Sequence, residues 1–166
     1  LYAYGPAAPQ HFAQWLAAPR RWAVELFDSL SHELQQVELA GDLAYVEAGD
    51  GVPPPIAPQG MYLLPYFDAY VVGSHPRQLL FPGKAAGRAL ANGQAGNFPV
   101  LLIDGVVAGV WHLRRSGRRL AITVEPLEEL TAPQRRELDE QVGRIAEILE
   151  GEPHLTTGRV TAGAHA

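Results

Sequence analysis

Between residues 49 and 60 the chain reads GDGVPPPIAPQG, with Pro53, Pro54, Pro55 and Pro58 beside Gly49, Gly51 and Gly60. Proline lacks a backbone N–H and fixes φ, and glycine raises the entropic cost of order, so no helix or strand survives this density. Any fold has to be assembled from a piece on either side. The expected organisation is a unit over 1–50, a linker over 51–60, a second unit over 61–151 and a disordered tail over 152–166. The tail is expected because residues from Pro153 onward are small, polar and aperiodic. The chain has 166 residues, 47% hydrophobic and 19% charged, enough apolar material for packed cores. Its apolar runs are too short to cross a membrane. The absence of cysteine excludes disulfides, a thiolate zinc site and a cysteine nucleophile. The opening Leu1-Tyr2-Ala3-Tyr4 lacks an initiator Met and a basic stretch before an apolar run. It does not read as a signal peptide, and it reads as a portion of a longer protein.

In the first piece, Phe12, Ala13 and Leu16 follow Pro9 with the spacing of a short helix face. Pro19 suits the start of a second helix, whose core face would be Trp22, Leu26, Phe27 and Leu30. Alternation over Gln36–Leu39, a turn at Gly41-Asp42 and a return over Leu43–Val46 predict a hairpin. Two short helices and then a hairpin is the order of a winged helix, whose first helix would lie upstream of Leu1.

The second piece opens with the apolar run Met61–Tyr66, followed by Asp68–Val72 and a cap-like Ser74-His75-Pro76. Residues 84–98, rich in Gly, Ala and Asn, read as a mobile loop. Pro99–Ile103, Asp104-Gly105 and Val106–Leu113 form the clearest hairpin, since Asp-Gly suits a type I′ turn. A second turn around Ser116-Gly117 leads to Leu120–Val124. Such a meander needs a cover for its apolar face. A closing helix supplies one, capped by Thr131, with Pro133 in its first turn, a stripe of Leu138, Val142, Ile145 and Leu149, and Gly151 as its stop.

Net charge is −5, which by itself does not suggest a nucleic-acid binder, but the charge is arranged in blocks. Residues 33–50 carry −5, residues 84–119 carry +5 and residues 120–152 carry −6. Arginine outnumbers lysine 12 to 1, Lys84 being the single lysine. The basic block centres on Arg114-Arg115-Ser116-Gly117-Arg118-Arg119, two arginine pairs flanking one turn. Guanidiniums on a projection suit phosphate oxygens. They equally suit a solvated turn that keeps strand ends from associating. Arg20 and Arg21 open the second helix, which in a winged helix enters the major groove. Its remaining charges, Glu25 and Asp28, make it a poor groove reader.

The six histidines have no metal-ligand spacing, and His154 and His165 fall in the expected tail. Asp68, between Tyr66-Phe67 and Ala69-Tyr70, is either a tuned carboxylate or a cap on backbone amides. Ser29 and Ser116 lack a nucleophile elbow, and no phosphate loop is present. Trp15, Trp22 and Trp111 read as core anchors. Neither a cofactor nor a metal is implied.

Three stretches resemble a known family. Residues 4–15, with Gly5, Pro6 and Trp15, resemble the Tyr-Gly-Pro…Trp motif of bacterial winged-helix DNA-binding proteins that include the AlkZ-like DNA glycosylases. Residues 63–73, with Pro65, Phe67, Asp68 and Tyr70, resemble that family's Leu-Leu-Pro-x-Phe-Asp-Pro-Tyr motif. Residues 99–111, with Asp104, Gly105, Gly109 and Trp111, resemble its Val-Asp-Gly-x-x-x-Gly-x-Trp strands. Ala69 and Ala8 depart from the expected Pro and Thr. The resemblance implies an α+β chain: a winged helix-turn-helix, then a small antiparallel β-barrel-like meander with a C-terminal helix, the C-terminal portion of a protein that grips duplex DNA.

The family's glycosylases cleave alkylated bases with a Gln-x-Gln motif. This chain has only the adjacent Gln35-Gln36, so no catalytic residue is assigned. The expected function is the positioning of duplex DNA through phosphate contacts by Arg114, Arg115, Arg118 and Arg119. Lys84 and Arg88 would assist, with Arg20 and Arg21 secondary, in a bacterial cytoplasmic, nucleoid-associated, repair-linked protein. Two alternatives stand beside it: part of an active glycosylase whose Gln-x-Gln lies upstream, and a winged-helix protein-docking module without DNA binding.

Overall fold

A computed structural model describes residues 1, 2, 4–49 and 57–163. The expected linker lies mostly outside the described residues. The backbone divides into two compact units, Leu1–Ile56 with Gly73–Pro76, and Ala57–Val72 with Arg77–Ala166.

The first unit contains helices α1 (Pro9–Trp15) and α2 (Arg20–Ser29) and strands β1 (Leu34–Leu39) and β2 (Asp42–Glu47). The strands pair antiparallel, with Leu39 opposite Asp42, so the turn is Ala40-Gly41, one residue earlier than expected. Both turn residues have positive φ (53° and 88°), as a type I′ turn requires. Ala7 adds an isolated bridge to Tyr45, each N–H donating to the other's carbonyl. Most of the buried side chains are small: Ala7, Ala8, Ala13, Ala23 and Ala44, with Val46 and Phe27. Trp22 is not the anchor its spacing suggests. It is 42% exposed and stacks on Phe12, with ring centroids 6.3 Å apart, while Ala23 takes the buried position of α2.

The second unit is built on a five-stranded sheet in the order β3 (Met61–Leu64), β4 (Val100–Ile103), β5 (Val106–Ser116), β6 (Arg119–Pro126), β7 (Glu152–Thr157). The sheet is open, with β3 and β7 as edges, so the expected barrel does not form. Nor is it wholly antiparallel, because β7 runs parallel to β6. A parallel neighbour demands a long crossover, and α6 (Ala132–Ile148) provides it. Thr131 Oγ1 accepts from Gln134 N and Gln134 Oε1 accepts from Thr131 N, a reciprocal cap. At the other end, Glu150, not Gly151, takes the left-handed conformation (φ 49°). Glu150 N donates to Glu147 O and Gly151 N to Ala146 O, the Schellman pair. Gly151 is needed for space instead: a Cβ there would sit 2.6 Å from Leu120 Cγ and 2.8 Å from Arg118 O.

The expected disordered tail is thereby corrected over 152–157. Only Leu155 of β7 turns toward the core, so the segment carries little apolar signal, and an edge strand tolerates Pro153. The expected mobile loop is corrected too. Lys84–Ala89 forms α5, following α3 (Ala69–Gly73) and α4 (Arg77–Leu80). Ala85 and Ala89, four residues apart, are fully buried.

Alternation along the strands makes two cores on opposite sheet faces. Met61, Leu63, Leu101, Trp111, Ile122 and Val124 lie under α6, against Leu138 and Val142. Val100, Leu102, Val107 and Val110 face Val71, Leu80, Phe81, Ala85, Ala89 and Val160.

Candidate nucleic-acid interface

The expected arginine turn is the far end of the β5–β6 hairpin. Strand pairing runs up to Ser116 opposite Arg119, leaving Gly117-Arg118 as the turn, one residue later than expected. Gly117 has φ 59° at the first turn position, where a type II′ turn places glycine.

Register then separates the four arginines. Arg115 lies opposite Leu120, on the α6 side of the sheet, and its Nε donates to Gly117 O at 3.0 Å. Arg118, in the turn, pairs with Glu152 at 3.5 Å. Arg114 lies opposite Ala121 and Arg119 opposite Ser116, both on the other face. Neither makes an ion pair or side-chain hydrogen bond among the described residues.

That other face is covered only in part. Its core ends at Val110 and Glu125, a register pair. Beyond them the pairing gives three cross-strand rows: His112, Thr123 and Thr156; Arg114, Ala121 and His154; Ser116, Arg119 and Glu152. All nine are exposed or half-buried, and the central strand contributes only Ala121 and Thr123 at the middle. His154, expected in a disordered tail, is thus an ordered strand residue.

The remaining predicted contacts are placed differently. Arg88, on α5, reaches Glu125 with two hydrogen bonds (3.0 and 2.9 Å) and donates to Val160 O at 2.8 Å. Its side chain is 24% exposed. The hydrogen bonds from Arg88 hold the Glu125 carboxyl below the usual carboxylate range against the opposing effect of burial. The Val160 N–H and the charges of Arg88 and Arg159 add to the lowering. Lys84 pairs with exposed Glu128 at 2.8 Å and lowers that carboxyl likewise. In the first unit Arg21 pairs with Glu25 one turn on, and Arg20 is exposed beside it. Sequence reasoning missed Glu125, Glu152 and Val160, which no local spacing ties to the basic residues.

The family-motif residues act as latches. In the first unit, Trp15 Nε1 donates to Gly73 O at 2.7 Å, and the Tyr4 ring packs on Trp15 at 5.5 Å. A Cβ on Gly73 would strike the Tyr4 ring. Gly5 precedes a cis bond to Pro6. Ala8 cannot cap α1, and His11 compensates by accepting from Ala8 N through Nδ1 at 3.4 Å. His11 stacks on His75, and burial lowers its pKa, with nearby Asp42 pulling the other way.

In the second unit, Asp68 Oδ1 accepts from Tyr70 N at 2.9 Å, the backbone-capping alternative. Tyr70 OH donates to Gly105 O at 2.8 Å, and Asp104 Oδ1 accepts from Gly60 N at 2.9 Å, so both hold the type I′ turn. A side chain on Gly105 would meet Pro58, and one on Gly109 the Glu125 carbonyl. Trp111 Nε1 donates to Leu64 O at 2.8 Å, next to Pro65. Phe67, 61% exposed with φ 54°, bonds Gly96 O through its N–H. Among the described residues no group of three or more His, Asp or Glu side chains is placed to hold a metal. No helix among them is long and apolar enough to cross a membrane.

The motif residues thus fix the backbone within each unit of this α+β chain. Residues 1–148 match the family described as DNA glycosylase AlkZ-like, and the chain belongs to it. It is 29% identical over 122 residues to the interstrand DNA cross-link repair glycosylase of Streptomyces sahachiroi, covering 68% of this chain and 32% of that protein. The solved structure of Streptomyces sahachiroi DNA glycosylase AlkZ superimposes with a TM-score of 0.71 at 23% identity, over 94% of this chain and 43% of that one. The chain therefore spans less than half the length of these relatives.

Proposed function

We propose that this chain is a DNA-gripping portion of a glycosylase-type repair protein, holding duplex by its phosphates in the bacterial cytoplasm. The observation that carries the reading is the exposed β5–β6 hairpin end, where four arginines gather and two have no partner among the described residues, in a chain of net charge −5. Local potential governs the encounter with a polyanion more than total charge does. Phosphate contacts of this kind position DNA and carry no sequence readout. Arg114, Arg115, Arg118 and Arg119 form the contact group. Lys84 and Arg88 stand nearer the fold's own carboxylates and contribute to the potential, and Arg20 and Arg21 are secondary. We read the first unit as a winged helix, supported by the order α1, α2, β1, β2 and by the Ala7 bridge that adds a third strand position to the hairpin.

Fluorescence anisotropy with a labelled duplex at two salt concentrations tests the reading. Binding should weaken with salt and fall when the four arginines become alanine. Absence of binding at low salt would sink it in favour of a protein-docking module. A second reading is favoured by the name of the Streptomyces sahachiroi relative, a cross-link repair glycosylase: this portion works within an enzyme that excises damaged bases. Base-release activity of the full-length protein, lost when a Gln-x-Gln motif is removed, would support that reading.

A further inference from the structure

Resting on that reading, we propose that the DNA backbone lies across the bare face of β5, β6 and β7 rather than around the turn tip. Within the arginine cluster, Arg114 and Arg119 are then the phosphate ligands, Arg118 is a neutralising residue and Arg115 a turn residue. Three observations carry this.

The first is partnership. Arg115 donates to Gly117 O and Arg118 pairs with Glu152, whereas Arg114 and Arg119 share a face and keep their donors for an outside acceptor. The second is relief. On the middle strand Ala121 lies between the longer Arg114 and His154, and Thr123 between His112 and Thr156, so a phosphodiester backbone can approach the sheet closely over Ala121. Strand spacing sets the flanking strands β5 and β7 about 10 Å apart, two inter-strand distances. The hydroxyls of Thr123 and Thr156 and the ring N–H groups of His112 and His154 supply further donors there.

The third is charge. Glu152 is the one carboxylate on the bare rows, and Arg118 holds it. Glu125 borders the rows and is held by Arg88, with Arg159 adding to its stabilisation. The face therefore presents Arg114 and Arg119 as its uncompensated charges. Without Arg118, Glu152 would repel the phosphate that Arg119 attracts, since the two residues are register partners.

The experiment is anisotropy with the 166-residue chain and a short fluorescein-labelled duplex across a salt series. Arg114→Ala with Arg119→Ala should cost about tenfold or more in affinity and lower the log–log salt slope by about 1.8, two phosphates' worth. Arg115→Ala should change affinity less than about twofold. Arg118→Ala should weaken binding in wild type but not in a Glu152→Gln background, a rescue that a direct phosphate ligand would not show. Ala121→Glu should abolish binding. Because Ala121 is half-buried, its fold is checked by circular dichroism, and Arg114→Glu tests the same face from an exposed site. The inference falls if Arg118→Ala is not rescued and Ala121→Glu and Arg114→Glu bind normally; the tip would then be the contact. A wild-type chain without salt-dependent binding would overturn the DNA-gripping reading itself.

Discussion

Two of the hairpins, β1–β2 and β5–β6, share a two-residue turn and differ in nearly everything else. The β1–β2 hairpin is acidic, carries Glu38, Asp42 and Glu47, and buries only Ala44 and Val46. The β5–β6 hairpin ends in four arginines and buries Leu120, Ile122 and Val124 completely on one face. Turn chemistry is sufficient to make either. What separates them is anchorage: a strand pair packed under a helix through Ile122 and Val124 holds its far end in a fixed register, and a fixed register sorts charges between faces.

The comparison breaks first at the core. Ile122→Ala should destabilise the second unit by about 2–5 kcal/mol. Val46→Ala in the other hairpin should cost about 1.5 kcal/mol, at about 0.8 kcal/mol per buried CH2. Denaturant titrations of both variants measure the gap, and equal losses would mean that anchorage does not distinguish the hairpins.

Arg88→Met comes next. It strands the partly buried Glu125 with only the Val160 N–H, at a cost of about 2 kcal/mol. Thermal unfolding should show the loss, while the salt slope of DNA binding stays as in wild type. A changed slope would return Arg88 to the list of phosphate ligands.

The pH dependence differs by unit. His11 has a lowered pKa, so its folded form favours the neutral ring. Its contribution is complete above the ordinary imidazole range near 6.5 and is lost as pH falls through the lowered value. Glu125, also lowered, contributes above the ordinary carboxylate range and loses its contribution at still lower pH. Melting temperatures from pH 8 to 3 should fall in two stages, the upper absent in His11→Gln and the lower in Glu125→Gln. A single stage in wild type would contradict the assignment. Smallest of all, Arg21→Ala removes an exposed pair within α2 and should leave the melting temperature unchanged.

Much of this was legible in the sequence wherever the determining chemistry is local. Asp104-Gly105 marks its turn because both positions need positive φ, and Thr131 with the Leu138 and Val142 stripe marks α6. The turns Ala40-Gly41 and Gly117-Arg118 each missed by one residue, since a lone glycine fits either turn position. The four arginines read in sequence as one group, and the register of β5 and β6 is what puts Arg114 and Arg115 on opposite faces. Strand β7 was illegible because an edge strand needs one inward residue, Leu155, and draws its order from β6. Helix α5 hid in alanine and glycine, whose burial depends on what packs over them. The Arg88–Glu125 pair spans 37 residues, and only the assembled sheet brings it together.

One feature bears on how such proteins are cut for the bench. The matched family stretch stops at residue 148, while the sheet continues to Thr157. An expression boundary drawn at 148 would strip β6 of β7, leaving a row of unpaired backbone donors and acceptors on that side and a gap where Val160 fills the core. Such an edge is a template for pairing with another chain, so the shortened protein is expected to precipitate or form dimers, and a failure to bind DNA would then report the missing strand instead of the chemistry of the hairpin.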